Sequence, residues 1–180
     1  VHATHPEVTV LDVTQPVGLG TDAWHSDSSG KAEPALGAVL RAVSLPPFGG
    51  DTCWASMYAA YESLSFAYQR FLDPLTALHD FARPLESAIA TGYQSPTPLH
   101  EVRAANPPAE HPVVRTHPVT GRRGLYVNGN YTTRICQLEP AESDAVLATL
   151  YEHIKKPEFH VRFHWEPNDV ALWDNRCTQH

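Results

Sequence analysis

Hydrophobic and polar residues recur with two different periods along this chain, and the switches between those periods mark its elements. Glu7 to Val13 (EVTVLDV) alternates β-branched and polar residues, which predicts a strand, and the Pro- and Gly-bearing QPVGLGTDA after it predicts a loop. Ala38 to Ser44 (AVLRAVS) and Thr52 to Ser56 (TCWAS) predict strands on either side of the turn PPFGGD. The period changes at Met57. Tyr58, Tyr61, Leu64, Tyr68, Phe71 and Leu72 recur at three- and four-residue spacings, the stripe of a helix or of a broken pair of helices over Met57 to Leu72. From Arg83 to Pro108 periodicity gives way to Pro, Ser, Thr and Gly, which predicts a long loop or lid that moves or orders on binding. Val113 to Asn128 reads as a hairpin about the turn TGRRG. Glu139 to Ile154 predicts a helix, with Pro140 at its first turn, Glu139 and Glu142 at its positive end, and Val146, Leu147, Leu150 and Ile154 on one face. The run FHVRFHWEPNDVALWDN then predicts two strands around EPND. No repeat or linker interrupts the series, so the expectation is one domain over 1–180, mainly β with flanking helices, as an antiparallel sandwich.

Composition narrows the choice of partner. With 180 residues, 42% of them hydrophobic, the chain can bury one real core. A net charge of -7, with no basic run interleaved with aromatics, excludes the footprint of a nucleic-acid binder. No stretch approaches the roughly 20 apolar residues of a membrane span and no leader pattern opens the chain, so a cytoplasmic protein with no membrane partner is expected. Cys53, Cys136 and Cys177 lack paired spacing and read as reduced thiols. Of the eleven histidines, His5, His111 and His117 precede proline and read as marks of turns or extended segments. Trp24, Trp54 and Trp165 read as core, and Arg115, Arg122 and Arg123 as solvated charges around the hairpin.

Chemistry enters with WHSD. Side chains two apart on extended backbone point the same way, so His25 and Asp27 can hold one ion from one side. The 2-His-1-carboxylate arrangement of non-haem Fe(II) oxygenases needs one further, distant histidine, for which His180 is the candidate. Two imidazoles and one carboxylate also suit zinc with a bound water, but a zinc hydrolase needs a general base that the motifs do not supply. A non-catalytic cupin-like binding module is the other alternative; it has no reason to keep all three ligands.

WHSD, GGDTCWAS, HPVVRTHPVTGRRGLYVNGNYTTRI and WDNRCTQH occur in this order, and together they closely resemble the TauD/TfdA family of Fe(II)- and 2-oxoglutarate-dependent dioxygenases. The resemblance runs from about Glu7 to His180 and is weakest between Arg83 and Pro108. It implies a double-stranded β-helix, or jelly roll, with His25, Asp27 and His180 holding Fe(II) at one mouth. It further implies that Thr52 hydrogen-bonds the remote carboxylate of 2-oxoglutarate, that Trp173 stands beside the metal, and that Tyr131 and Thr21 line the substrate pocket. Both pocket residues differ from those of the taurine-oxidising members. The implied cofactors are Fe(II), 2-oxoglutarate and O2. The implied activity is hydroxylation of the carbon next to sulfur in taurine or a related sulfonate, giving sulfite, an aldehyde, succinate and CO2, with alkyl sulfates or phenoxyalkanoates as the alternative substrates. A homo-oligomer is expected. Asp174 and Arg176 are expected to pair and brace the strand end beneath His180. Because the family places two arginines after its distal histidine, the sequence is expected to be part of a longer protein that adds an N-terminal start and the last strands.

Overall fold

A computed structural model describes residues 4–12, 23–90, 92 and 97–180. In chain order these form β1 (Gly37–Arg41), β2 (Thr52–Ser56), α1 (Met57–Glu62), α2 (Phe66–Leu72), β3 (Thr76–His79), α3 (Arg83–Ala90), α4 (Leu99–Ala105), β4 (Ala109–Pro112), β5 (Val114–Thr116), β6 (Arg123–Leu125), β7 (Thr132–Ile135), α5 (Pro140–Ile154), a 3-10 turn at Pro157–Phe159, β8 (His160–Phe163), β9 (Val170–Asp174) and β10 (Thr178–Gln179). The strands make four small antiparallel sheets, ordered β1-β9, β10-β2-β8, β4-β3-β7 and β5-β6. Strands from opposite ends of the chain therefore lie side by side, and the fold is the expected jelly roll with helices on its flank.

Local chemistry explains the helices. The Ser56 hydroxyl accepts from Ala59 N and opens α1, and the Ser65 hydroxyl accepts from Tyr68 N and opens α2, so the aromatic stripe breaks at Ser63–Ser65 into the pair of helices its sequence allowed. Pro140 begins α5, and Glu139 N donates to Glu142 Oε2 at 3.1 Å. Leu147, Leu150 and Ile154 on its inner face pack with Met57, Leu72, Leu125 and Ile135 to form the core, while Val146 is only partly buried. Ser143, also fully buried, accepts the N–H of Ile135 at 2.8 Å and joins α5 to β7.

Several expectations need correction. Residues 7–12 are not a strand: Val8, Val10 and Leu11 are exposed, and no described strand pairs with them. Alternation without a neighbouring ladder leaves backbone groups to water. Val13 and the loop expected after it lie mostly outside the described residues, as does Thr21. The strand expected over Ala38–Ser44 ends at Arg41, because Ala42 pairs with Asn168 and Asp169 across the end of the β1–β9 ladder. The hairpin at Val113–Asn128 is present as β5 and β6, in register Val114 to Leu125. The two strands about EPND are present as β8 and β9 but pair with β2 and β1 respectively. The segment from Arg83 to Pro108 carries α3 and α4 and is no uniform loop; Arg103 of α4 holds Asp80, at the end of β3, at 2.8 Å.

Of the tryptophans expected in the core, Trp165 is buried, whereas Trp24 and Trp54 are only half-buried at its edge. The three arginines of the hairpin are no free charges. Arg115 lies over Tyr126, Arg122 over Tyr58 with Glu62 as its ion pair, and Arg123 over Tyr61 with Asp73 as its ion pair. Cys53, Cys136 and Cys177 are free thiols. Among the described residues no helix is long and apolar enough to cross a membrane.

Candidate metal centre

The two distant histidines meet through their backbones. His25 N donates to His180 O at 3.0 Å and His180 N donates to His25 O at 2.9 Å, one antiparallel bridge between segments 155 residues apart in sequence (180 - 25). His180 follows β10, whose Gln179 pairs with Ala55 of β2 and whose side chain donates to Val127 O at 2.7 Å. The side chain of Asp27 turns back toward both rings. Asp27 Oδ1 is 3.5 Å from His25 Nε2 and 3.9 Å from His180 Nε2, and the ring centroids are 4.4 Å apart. One potential ligand atom from each of the three residues thus lies within 4.8 Å of the others, so the structure brings together the three residues the sequence named as candidate ligands.

Protons decide what such a cluster can hold. His25 Nδ1 donates to Ala23 O at 2.9 Å, which leaves the Nε2 lone pair facing Asp27. The Nδ1 of His180 is buried with no hydrogen-bond partner among the described residues, so its ring is set by its backbone bridge and by the rings of His25 and Trp173, the latter 4.9 Å away. Burial and the neighbouring His25 push the His180 pKa down. Burial pulls the His25 pKa down most strongly, but Asp27 together with the backbone of Ala23 and His180 outweighs it and the net shift is upward. Asp27 is held below the usual carboxylate range, chiefly by His25. An ionised carboxylate and two imidazoles facing one point, with a buried nitrogen left over, fit a divalent cation of the borderline class that takes nitrogen and oxygen ligands.

The other expected residues stand in the following places. Thr52 lies on β2 two residues from Trp54, hence on the same face, and Trp54 contacts Trp173 at 5.5 Å between centroids. Continuing the β2–β10 register by one residue sets His180 opposite Trp54. The Thr52 Oγ1 accepts the indole N–H of Trp165 at 2.9 Å, an arrangement that leaves its own hydroxyl proton to donate. Tyr131 stacks on Phe81 with centroids 6.1 Å apart. Burial, with the Asp27 charge adding to it, pushes its pKa up and keeps it a neutral phenol.

The sequence reading missed the buried scaffold behind the ligands. The Ser26 hydroxyl donates to Asn175 O, joining the WHSD segment to the turn before β10. Ser29 Oγ accepts from Asn128 Nδ2 at 2.8 Å and meets His79 Nδ1 at 3.2 Å, while Thr132 Oγ1 meets His79 Nε2 at 3.2 Å. These bonds tie the Asp27 turn to the loop that carries Tyr131. Asn128 Oδ1 also accepts from Tyr131 N at 2.9 Å. Ser26, Asn128 and Asn175 stand inside the quoted motifs, which was the available signal; Ser29, two residues past WHSD, and His79 lie outside them and gave none.

A jelly roll with two imidazoles and one carboxylate gathered at one point has the form of a mononuclear metal site. The chain belongs to the taurine catabolism dioxygenase TauD, TfdA family, whose model matches residues 2–180. It is 35% identical to an alpha-ketoglutarate-dependent sulfate ester dioxygenase of Pseudomonas putida, over 98% of this chain and 61% of that protein. An alpha-ketoglutarate-dependent 2,4-dichlorophenoxyacetate dioxygenase of Cupriavidus pinatubonensis is 38% identical, over 97% of this chain and 59% of its own length. The crystal structure of a taurine dioxygenase from Burkholderia xenovorans superimposes with a TM-score of 0.80 at 38% identity, covering 99% of this chain and 58% of that one. The chain spans about half the length of the curated relatives it matches. The family uses Fe(II), 2-oxoglutarate and O2.

Proposed function

We infer that the protein containing this chain is an Fe(II)- and 2-oxoglutarate-dependent dioxygenase that oxidises a C–H bond of a small organic anion, with taurine or a related sulfonate as the substrate class. The convergence of His25, Asp27 and His180 within 4.8 Å supports this reading more than any other observation. Bound Fe(II) supplies activation of O2 coupled to oxidative decarboxylation of 2-oxoglutarate to succinate. The rest is work for the chain's own side chains. His25, Asp27 and His180 would hold the ion, with 2-oxoglutarate and O2 binding beside them. Thr52 donates its hydroxyl proton to the remote carboxylate of 2-oxoglutarate, a charge that needs donors once it is desolvated. Trp173 and Trp54 exclude water along the side of His180, and Tyr131 offers a neutral hydroxyl on the side of Asp27. Hydroxylation next to sulfur gives a product that decomposes to an aldehyde and sulfite.

Similarity to relatives named for a sulfate ester and for a phenoxyacetate makes those anions the alternative substrates within the same chemistry. The zinc hydrolase is the weaker reading. Among the described residues the groups beside the three ligands are Tyr131, which stays protonated, and aromatic rings, so none serves as its general base. The test is succinate release from 2-oxoglutarate under O2, with Fe(II) or Zn(II), across taurine, longer sulfonates, alkyl sulfates and phenoxyacetates. Release with Fe(II) that a sulfonate stimulates, with sulfite formed, is the expected result. Failure of every sulfonate with success of another anion would overturn the substrate class and keep the chemistry; failure of every anion would overturn both.

A further inference from the structure

Away from the metal centre, His117, Asp174 and Cys177 also bring three potential ligand atoms within 4.8 Å of one another. Their hydrogen bonds are those of a clamp and not of a second metal site. His117 Nδ1 accepts from the backbone N–H groups of Val119 and Thr120, at 3.2 and 3.1 Å. A nitrogen that accepts carries no proton, so the ring proton is on Nε2, which donates to Asp174 Oδ2 at 3.1 Å. A metal on Nε2 would drive that proton to Nδ1, against two N–H donors. The Asp174 carboxylate is moreover already occupied by Arg176, whose Nε lies 2.9 Å from Oδ1 and whose terminal nitrogen lies 2.6 Å from Oδ2, with the Arg176 backbone N–H a further donor at 2.8 Å.

What this clamp holds is the turn between β9 and β10. Asp174 O accepts the Thr178 hydroxyl at 2.7 Å and the Cys177 N–H at 3.3 Å, closing the turn on itself. Both ligand-bearing segments hang from that turn. The hydroxyl of Ser26, between His25 and Asp27, donates to Asn175 O, and His180 comes two residues after Thr178. β10 pairs with β2 through Thr178 and Gln179 alone, a ladder too short to fix its own position.

We propose that His117 is a positioning residue for the metal centre: from the turn of the β5–β6 hairpin, it orients Asp174 and so sets the β9–β10 turn that places His180 against His25 and Asp27. This rests on the reading of those three residues as the iron ligands. His117 is 4% exposed and touches none of them, so any effect it has on metal must pass through Asp174.

The experiment is an anaerobic Fe(II) titration of the full chain in four forms, unaltered, His117→Phe, His117→Gln and Asp174→Asn, each with its metal-free unfolding temperature measured alongside. Glutamine restores an N–H donor toward Asp174, and phenylalanine does not. A group hydrogen-bonded directly to a metal ligand typically governs about 10- to 100-fold in affinity, and His117, one residue further out, is expected at the lower end of that range. The expected result is a loss of about tenfold or more for His117→Phe, with His117→Gln within about threefold of the unaltered chain. A merely structural role would lower both unfolding temperatures and leave the Fe(II) affinity of the folded protein unchanged, which would overturn the proposal. If His117→Phe does not fold, Asp174→Asn decides: weakened Fe(II) binding supports the clamp, and unchanged binding overturns it. Absence of Fe(II) binding by the unaltered chain overturns the assignment of the metal centre itself, a result distinct from any of these.

Discussion

At the scale of single residues, protonation organises the site. Tyr131 is kept a neutral phenol by burial and by the Asp27 charge, and under the proposed function its hydroxyl is a candidate contact for the substrate anion. Tyr131→Phe should leave Fe(II) affinity unchanged and shift the ratio of kcat/KM between a sulfonate and a phenoxyacetate by about tenfold, the scale of one unpaired hydrogen bond. Steady-state kinetics with both substrates checks this. His79 makes a different prediction. Burial first, and then His111, lower its pKa from the ordinary 6.5 to about 3. Between those values the unfolded chain binds a proton that the native ring refuses, so stability is intact above pH 6.5 and falls as the pH drops toward 3. Urea unfolding at pH 7 and pH 5 should differ by about 2 kcal/mol more in the unaltered chain than in His79→Gln. The candidate ligands His25 and Asp27 were legible because WHSD stands in order with three other motifs; their spacing of two residues is a weak signal by itself. His79 was not legible: a lone histidine outside any motif gives no sign that the hydroxyls of Ser29 and Thr132 will bond both its ring nitrogens.

At the scale of elements, short segments hold the site and close contacts fix them. The turn of residues 27–30 carries Asp27 and ends at Gly30, where an added Cβ would stand 2.6 Å from Phe81 N and 2.7 Å from its Cα. Backbone cannot yield there as a flexible side chain would. Gly30→Ala should therefore cost about 1–3 kcal/mol, the range of overpacking, and should weaken Fe(II) binding as the turn moves. Chemical denaturation and metal titration measure the two effects separately. α1, α2 and α5 could be read from sequence because their caps and their apolar stripes agree. α3 and α4 could not, since short helices between prolines share the composition of loops. β3, β4 and β7 also escaped notice; each is only three or four residues paired, and β4 ends at Pro112, which an edge strand tolerates. The strand expected at residues 7–13 shows the reverse error, a good pattern with no partner strand among the described residues.

For the whole molecule, strands from the two ends of the chain carry the chemistry. β1 with β9, and β2 with β8 and β10, bring the first fifty-odd residues against the last twenty, and the candidate ligand His180 follows β10 in that pairing. Long-range pairing of this kind is invisible to local patterns, and it was the order of four motifs that made the fold legible in advance. It also means that the metal should stabilise the fold, since it cross-links both ends of the chain: a ligand that binds only the native state raises stability by mass action. The most direct test of the account is Fe(II) stoichiometry under anaerobic conditions for the unaltered protein and for Asp27→Ala. One Fe(II) per chain, with binding lost in Asp27→Ala, is the predicted result. Binding that survives removal of the Asp27 carboxylate unchanged, or no binding in the unaltered protein, would contradict it.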